Sequence, residues 1–165
     1  MTHNQFRFSF QDTDFFGQSW QAEDTKAVIV LVHGMGEHSS RYADFVVPKL
    51  IENNFSVVSF DHFGHGKTKG KRGYCPSFDA VLDSVSRVIE KAKKLFPNKP
   101  IFLYGHSMGG NVVVNYALRK NPDLKGIVAS SPFLGLAFEP PVWKIKMAKF
   151  LRKIFPKMTL NGDLD

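Results

Sequence analysis

Hydrophobic and polar residues in the first third of the chain follow patterns that are typical of strands. Residues 27–32 are apolar throughout and rich in β-branched types, which favours a strand buried on both faces of a parallel sheet. Earlier in the chain, residues 6–10 alternate apolar and polar positions, as a half-buried strand does. Turn residues at 12–14 and a second short strand near 17–21 complete a predicted hairpin.

The rest of the chain alternates between helical spacing and short apolar runs. The clearest predicted helix starts at Pro76 or Ser77 and stops at Pro97, and its apolar residues recur with a helical period. Other helices are predicted from Ser39 or Ser40, which can cap a helix, to about Asn53, and over residues 111–120. Strands are predicted at 55–60, 101–104 and 127–129, and the glycine-rich stretch 61–73 is predicted to be a loop.

The order of these elements is a hairpin followed by alternating strands and helices. This order predicts an α/β fold with a mostly parallel sheet, right-handed crossovers and helices on both faces. No internal repeat is visible, and the composition changes only after Gly135, where Glu139-Pro140-Pro141 marks a boundary. We therefore predict a core over residues 1–135 and a separate segment over residues 136–165.

Composition narrows the class of protein. The 165 residues are 43% hydrophobic and carry a net charge of +7, a globular profile that excludes intrinsic disorder and a collagen-like repeat. The longest apolar run has six residues, against the roughly 20 that a spanning helix needs. The first residues lack the apolar segment of a signal peptide, and the single Cys75 excludes an intrachain disulfide and a multi-cysteine metal site. These features predict a cytoplasmic protein.

Much of the positive charge lies in residues 141–157, which contain no acid. The basic residues there are Lys144, Lys146, Lys149, Arg152, Lys153 and Lys157. Over residues 142–155, a helical wheel places aromatic and aliphatic side chains on one arc and most basic side chains on the other. Two interpretations stay open: a helix packed on the core with a solvated basic face, and a peripheral contact with a membrane or micelle surface. Nucleic acid is not expected as a partner, because no recognition motif accompanies the charge.

The segment Gly105-His106-Ser107-Met108-Gly109 has the pattern G-x-S-x-G and lies between a predicted strand and a predicted helix. This is the context of a nucleophile elbow, in which a sharp turn holds a serine hydroxyl at the carboxyl edge of the sheet. The start of the helix directs backbone N–H groups to the same place. Ser107 is therefore the candidate nucleophile, and the Met108 N–H is a candidate donor to the oxyanion.

A second oxyanion donor is expected from another loop. The loop after residues 27–32 is His33-Gly34-Met35-Gly36-Glu37-His38, and its glycines permit a close approach of the backbone. The Met35 N–H is the natural second donor.

Together with Asp61-His62-Phe63-Gly64-His65-Gly66, these two segments resemble the monoacylglycerol lipase and lysophospholipase group of α/β-hydrolases, within the serine aminopeptidase S33-like hydrolases. The resemblance runs from the first hairpin to Pro132. It implies an α/β-hydrolase fold and a carboxylester hydrolase that acts on a monoacylglycerol or a lysophospholipid, with no cofactor. It also implies that Ser107 is the nucleophile, that Met35 and Met108 are the oxyanion donors, and that residues 136–165 begin a cap or lid. Glu37 and Arg41 resemble family residues that lie near the polar head of the substrate.

No histidine follows Ser107, although a serine nucleophile needs a histidine base and the order in this fold is serine, acid, histidine. The histidines are His3, His33, His38, His62, His65 and His106. The acids after Ser107 are Asp123, Glu139, Asp163 and Asp165. We therefore predict an N-terminal part of a longer hydrolase, truncated before the last strands and inactive alone. The strand at 127–129 would then form an edge with exposed apolar side chains.

Several alternatives stay open. A base role for His33 or His38 competes with a structural role in orienting their loop, and the structural role is favoured. His62 and His65 could contribute to a metal site only with a third ligand, so no metal is predicted. Peptidases, acyltransferases and cofactor-free peroxidases use the same elbow, and a non-catalytic fragment that binds a partner is a further alternative. The sequence leaves the oligomeric state open.

Overall fold

Six strands form one sheet in the computed structural model, which describes residues 1–136 and 139–155. The strands are β1 (Thr2–Phe10), β2 (Thr13–Gln21), β3 (Ala27–Val32), β4 (Phe55–Phe60), β5 (Ile101–His106) and β6 (Gly126–Ser130). The helices are α1 (Val46–Glu52), α2 (Phe78–Leu95), α3 (Met108–Lys120) and α4 (Val142–Ile154), and a 3₁₀ helix covers Ser39–Tyr42. The predicted hairpin and the later strands are confirmed.

The order of the strands in the sheet is β1-β2-β4-β3-β5-β6. β1 and β2 form an antiparallel hairpin, β2 pairs antiparallel with β4, and β4, β3, β5 and β6 are mutually parallel. The chain runs from β3 to β4 on one side and then returns to β5 on the other side of β3. In open α/β sheets, such a reversal leaves a crevice at the carboxyl ends of the two strands, where ligands bind. The loops after β3 and β5 therefore border the expected position of a site.

β3 is buried on both faces, as its continuous apolar sequence predicts. Val28, Val30 and Val32 belong to a core cluster that includes side chains of α2 and α3. Ile29 and Leu31 belong to a second cluster that includes side chains of α1 and the 3₁₀ helix. Helices therefore cover both faces of the sheet, and burial of apolar surface at about 25 cal/mol per Å² stabilises both layers.

The segment predicted as one helix from Ser39 or Ser40 to about Asn53 is divided in the structure, so that prediction is wrong. The 3₁₀ helix ends at Tyr42, and α1 begins only at Val46. Pro48 gives the physical reason, because it lacks the N–H that a continuous helix would need there and its ring opposes the preceding turn. In the first turn of α1, where N–H groups have no partner in the helix, the same proline is tolerated.

α2 begins where the sequence predicts. The Ser77 hydroxyl oxygen accepts a hydrogen bond from the Ala80 N–H at 3.0 Å, which satisfies one of the free donors of the first turn. One face of α2 is buried against the sheet and supplies a large part of the first core cluster.

β6 forms one edge of the sheet in the described part of the chain. Ile127 is 39% exposed and Val128 is 50% exposed. The prediction of an edge strand with exposed apolar side chains is thus confirmed.

α4 is an amphipathic helix with no buried residue. Trp143 and Phe150 are each 61% exposed, and its basic side chains are exposed as well. Across residues 1–136 and 139–155, no helix is long and apolar enough to cross a membrane. The division after residue 135 and the cap assignment of residues 136–165 stay predictions, and Lys157 lies outside the described residues.

Two glycines let the first turn of α3 lie against the ends of β3 and β5 without intervening side chains. A Cβ atom at Gly109 would meet the carbonyl oxygen of Val32 and would lie 2.6 Å from that of His33. A Cβ atom at Gly105 would meet the carbonyl group of Gly109. These neighbours are backbone atoms of packed elements, so they have little freedom to move aside.

We expect Gly109→Ala to lower the free energy of unfolding of the chain by about 3 kcal/mol, because its methyl group would force β3 and α3 apart. Gly135→Ala is the matched control. A Cβ atom there meets nothing within 4 Å, so a change of no more than about 0.5 kcal/mol is expected. Urea unfolding followed by circular dichroism measures both values. Equal stabilities for the two variants would contradict this account of the packing.

Candidate active site

Ser107 lies at the sharp turn between β5 and α3, with φ of 53° and ψ of −116°. A positive φ is unfavourable for a residue with a side chain and persists only where the surroundings enforce it. Here the Ser107 N–H donates to the Ser130 carbonyl at 3.0 Å. The Ser107 carbonyl accepts from the Asn111 N–H at 3.1 Å and from the Phe133 N–H at 3.0 Å. The end of β6 and the segment after it thus hold the strained turn.

The start of α3 presents backbone donors beside Ser107. The first N–H groups of a helix have no acceptor within the helix, and the helix dipole adds a partial positive charge there. The Met108 N–H is the first of these groups. Its position directly after the serine is the one that the sequence predicts for an oxyanion donor.

The loop after β3 approaches the same point. A Cβ atom at Gly34 would lie 3.3 Å from the Cβ atom of Ser107, so this loop packs directly beside the elbow. Met35 follows Gly34, and its side chain is 56% exposed. No group among the described residues accepts a hydrogen bond from the Met35 N–H. The loop that carries Met35 and the start of α3, which carries Met108, therefore meet at Ser107.

Glu37 and Arg41 lie on this same loop. The Glu37 Oε2 atom accepts hydrogen bonds from the Gly34 N–H at 2.9 Å and from the Tyr42 hydroxyl at 2.6 Å. The Glu37 Oε1 atom lies 3.3 Å from the Arg41 Nε atom. The Glu37 side chain is 15% exposed, whereas that of Arg41 is 68% exposed. The sequence does not identify Tyr42 as a partner of Glu37. In the sequence it is only an aromatic residue shortly after the loop.

A second group of buried polar side chains fixes the far end of the loop. The Asp61 Oδ1 atom accepts from the Ser39 N–H and the Ser39 hydroxyl, each at 2.7 Å, and Oδ2 accepts from the Lys67 N–H at 2.7 Å. The Gln18 amide nitrogen donates to the hydroxyls of Ser39 at 2.8 Å and Ser40 at 2.9 Å. Asp61 thus fixes its own glycine-rich loop and joins it to the loop after β3. Nothing in the local pattern of β2 indicates the role of Gln18.

His33 links the two loops at their other end and stays neutral. Its Nε2 atom accepts from the His62 N–H at 3.0 Å, so Nδ1 carries the proton and donates to the Gly34 carbonyl at 2.7 Å. Burial is the largest cause that lowers the pKa of His33, and the charge of His65 lowers it further. The bond to Gly34 raises the pKa, and the net value is about 4. Both ring nitrogens are occupied, so His33 orients its loop and is not placed as the base. This outcome agrees with the structural role that the sequence favoured.

The remaining histidines of the described residues form no hydrogen bond with the Ser107 hydroxyl either. His62 is 2% exposed, and its ring nitrogens have no partner among the described residues. Burial is the main cause that lowers the pKa of His62 well below its ordinary value. The His65 Nδ1 atom bonds the Phe63 carbonyl, and His106 faces Ser130. No histidine of the described ranges forms a hydrogen bond with the Ser107 hydroxyl.

The alternative metal site at His62 and His65 lacks its third ligand. His33 is the nearest further histidine, with a ring centroid 4.4 Å from that of His62 and 5.3 Å from that of His65. Both of its nitrogens are used in hydrogen bonds. Within residues 1–136 and 139–155, no group of three His, Cys, Asp or Glu side chains could hold a metal ion.

We expect the free energy of unfolding to fall as the pH is lowered from 7 to 4. His33 and His62 stay neutral in the folded chain but bind protons near pH 6.5 once unfolded. The unfolded state therefore binds more protons below that pH, and stability present above pH 6.5 is lost as the pH falls towards the folded pKa values. His33 alone accounts for roughly 3 kcal/mol once its folded pKa of about 4 is passed.

His62→Leu tests this assignment, because it removes one of the two buried titrating groups and both unpartnered nitrogens. We expect this variant to be at least as stable as the original chain at pH 7 and to lose less stability between pH 7 and pH 4. His38→Gln, at an exposed position, is the control and keeps the original dependence. Urea unfolding at each pH supplies the values. The same pH dependence in His62→Leu would contradict the assignment.

Comparison with known proteins places this geometry in a family. The family model described as serine aminopeptidase, S33, matches residues 23–165. The chain is 33% identical over 152 residues to monoglyceride lipase from Homo sapiens, covering 91% of this chain and 50% of that protein. It is 35% identical over 147 residues to phospholipase YtpA from Bacillus subtilis, covering 88% of this chain and 56% of that protein. The chain thus spans about half the length of these curated relatives.

Solved structures agree in fold. The crystal structure of the monoacylglycerol lipase of Paleococcus ferrophilus superimposes with a TM-score of 0.78 at 35% identity, over 92% of this chain and 56% of that one. A soluble variant of monoglyceride lipase from Saccharomyces cerevisiae, at 24% identity and a TM-score of 0.79, shows the same fold. The described sheet corresponds to the N-terminal portion of this fold. The chain belongs to the serine aminopeptidase S33 family of α/β-hydrolases and resembles its monoacylglycerol lipases.

Proposed function

We propose that this chain supplies the nucleophile and the oxyanion hole of a serine hydrolase that cleaves carboxylic esters of monoacylglycerols or lysophospholipids. The observation that carries the proposal is the strained Ser107 backbone at the β5–α3 turn, with the Gly34 loop packed beside it. Acyl transfer requires a nucleophile and backbone donors to the oxyanion, held together at one edge of the sheet.

In this mechanism the Ser107 hydroxyl attacks the ester carbonyl, and the Met35 and Met108 N–H groups stabilise the charge that develops on the carbonyl oxygen. A histidine takes the serine proton and then gives it to the leaving alcohol, while a carboxylate orients that histidine. We place this histidine and its carboxylate outside residues 1–165, because no histidine follows Ser107 in the chain and no described histidine forms a hydrogen bond with its hydroxyl. The chemistry uses no cofactor and no metal.

The names of the relatives support the proposed substrate class. Two proteins that the chain matches at 33% and 35% identity are named as a monoglyceride lipase and a phospholipase. Arg41, on the loop beside Ser107, offers an exposed guanidinium near the polar head of such a substrate. Glu37 is its ion-pair partner on the same loop.

Peptide hydrolysis is the second candidate, because the matched family model is described as a serine aminopeptidase. The same elbow also serves acyltransferases and peroxidases. A panel of glycerol esters, lysophospholipids and aminoacyl amides, given to the same preparation, separates these reactions.

We expect Ser107→Ala to abolish hydrolysis of a short-chain nitrophenyl ester by the whole protein to which this chain belongs, with a loss of at least about 1,000-fold in kcat. The variant removes only the nucleophilic oxygen, so its stability should stay close to that of the original. Ser86→Ala is a control at a helix hydroxyl away from the elbow. Residues 1–165 alone are expected to be inactive. Undiminished activity of Ser107→Ala would overturn the assignment of the nucleophile.

We further propose that α4 contacts anionic lipid surfaces, because its apolar residues are unburied and its charged residues are all basic. The chain should co-sediment with phosphatidylglycerol vesicles and not with phosphatidylcholine vesicles, and salt should weaken the binding. Lys149→Glu with Lys153→Glu should abolish the binding. The double variant Lys93→Glu with Lys94→Glu makes an equal change of charge on α2 and should leave the binding to vesicles unchanged. Equal losses in both double variants would show that net charge alone governs the binding.

A further inference from the structure

Glu37 closes both ends of the turn that carries the Met35 N–H. Its backbone N–H donates to the Gly34 carbonyl at 3.4 Å, and its carboxylate Oε2 accepts from the Gly34 N–H at 2.9 Å. Gly34, Met35, Gly36 and Glu37 therefore form a four-residue turn that is tied once through the backbone and again through a side chain. Gly36, the third residue, has a φ of 72°, the positive value that a type II turn requires at this position.

The carboxylate that ties the turn is itself held from the next helical turn. The Tyr42 hydroxyl, on a residue 7% exposed, donates to the same Oε2 atom, and the Arg41 Nε atom faces Oε1. Burial raises the pKa of Glu37, but the hydrogen bonds from Tyr42 and Gly34, with the charge of Arg41, bring it below its ordinary value. The side chain is thus an ionised acceptor with a fixed position rather than a free surface carboxylate.

Gly34 lies between this carboxylate and the nucleophile. A Cβ atom at Gly34 would lie 2.9 Å from the Glu37 Oε2 atom and 3.3 Å from the Ser107 Cβ atom. Gly34 is therefore packed between the two side chains, with no side chain of its own to act as a spacer. The carboxylate therefore holds the Gly34 N–H, on the peptide group directly before the one that carries the Met35 N–H. The carbonyl of that next peptide group is held by the Glu37 N–H and by His33 Nδ1.

We propose that Glu37 is a positioning residue that holds the Met35 N–H in the oxyanion hole through its bonds to Gly34, rather than a contact for the polar head of the substrate. This inference rests on the proposed ester hydrolase function. The Oε2 atom already has two donors and Oε1 faces a guanidinium, so the carboxylate has little acceptor capacity left for a substrate hydroxyl. The exposed Arg41 is left as the head-group contact of this loop.

Two substrates separate a positioning role from a substrate contact: nitrophenyl butyrate, which has no glycerol, and a monoacylglycerol. In the whole protein, Glu37→Ala should lower kcat about 10- to 100-fold on both esters, with KM changed by no more than about two-fold. A head-group contact would instead raise KM, and only for the monoacylglycerol. Glu37→Gln keeps an oxygen acceptor for the Gly34 N–H and should recover most of the lost kcat.

Glu90→Ala is the matched control, since Glu90 forms an exposed ion pair with Arg87 at the same 3.3 Å that separates Glu37 and Arg41. Its kinetic constants should equal those of the original protein. Kinetic constants for Glu37→Ala equal to the original on nitrophenyl butyrate, with a raised KM on the monoacylglycerol, would overturn the inference.

Amide exchange gives a readout that needs no activity. Loss of the carboxylate should speed hydrogen exchange at the Gly34 and Glu37 amides in Glu37→Ala, while α2 keeps its protection. If the original protein shows no hydrolysis of either ester that depends on Ser107, the proposed function fails. The exchange experiment then still tests whether the Glu37 carboxylate holds the turn. Unchanged exchange at these amides would refute the positioning role on its own.

Discussion

The candidate site depends on the direct contact between the backbone of the first turn of α3 and the end of β3. Gly109 makes that contact possible, because a side chain there would collide with the carbonyl groups of Val32 and His33. The contact sets the N-terminus of α3 beside the loop that begins at His33. The strained conformation of Ser107 follows from the same constraint, since the chain must turn from β5 into α3 within one residue.

Buried polar groups hold the loops around this contact. Asp61 and Gln18 fix the end of the loop after β3 through Ser39, and His33 fixes its start against the loop after β4. Buried polar atoms destabilise a protein unless they are paired, so this network favours one arrangement of the loops over others. The unpartnered ring of His62 is the exception within the described residues. The loops around Ser107 are therefore held in one arrangement by contacts within residues 1–136.

The elements that could be predicted from the sequence are those whose signal is local. β3, β4 and α2 follow from apolar runs, helical spacing and the Ser77 cap, and the elbow follows from two glycines placed around a serine between a strand and a helix. The single helix expected from Ser39 or Ser40 to Asn53 is wrong, because the spacing of apolar residues does not reveal the effect of the missing N–H of Pro48.

Contacts between distant segments were beyond prediction. The bond from Gln18 to Ser39 joins residues 21 positions apart, and the bond from the His62 N–H to His33 spans 29 positions. Neither contact changes the pattern of hydrophobic and polar residues in its own strand or loop. The family resemblance predicts only that Glu37 lies near the polar head of the substrate. Only the positions of the Gly34 and Tyr42 donors indicate that its carboxylate also shapes the loop.

The most direct test of the account is labelling of the whole protein with a fluorophosphonate, followed by mass spectrometry of its peptides. The reagent forms a stable bond only with a serine that is activated as a nucleophile. From this account we expect one stoichiometric label, on Ser107, and no label on residues 1–165 prepared alone. A label on another serine, or an unlabelled Ser107 in a protein that hydrolyses esters, would contradict it.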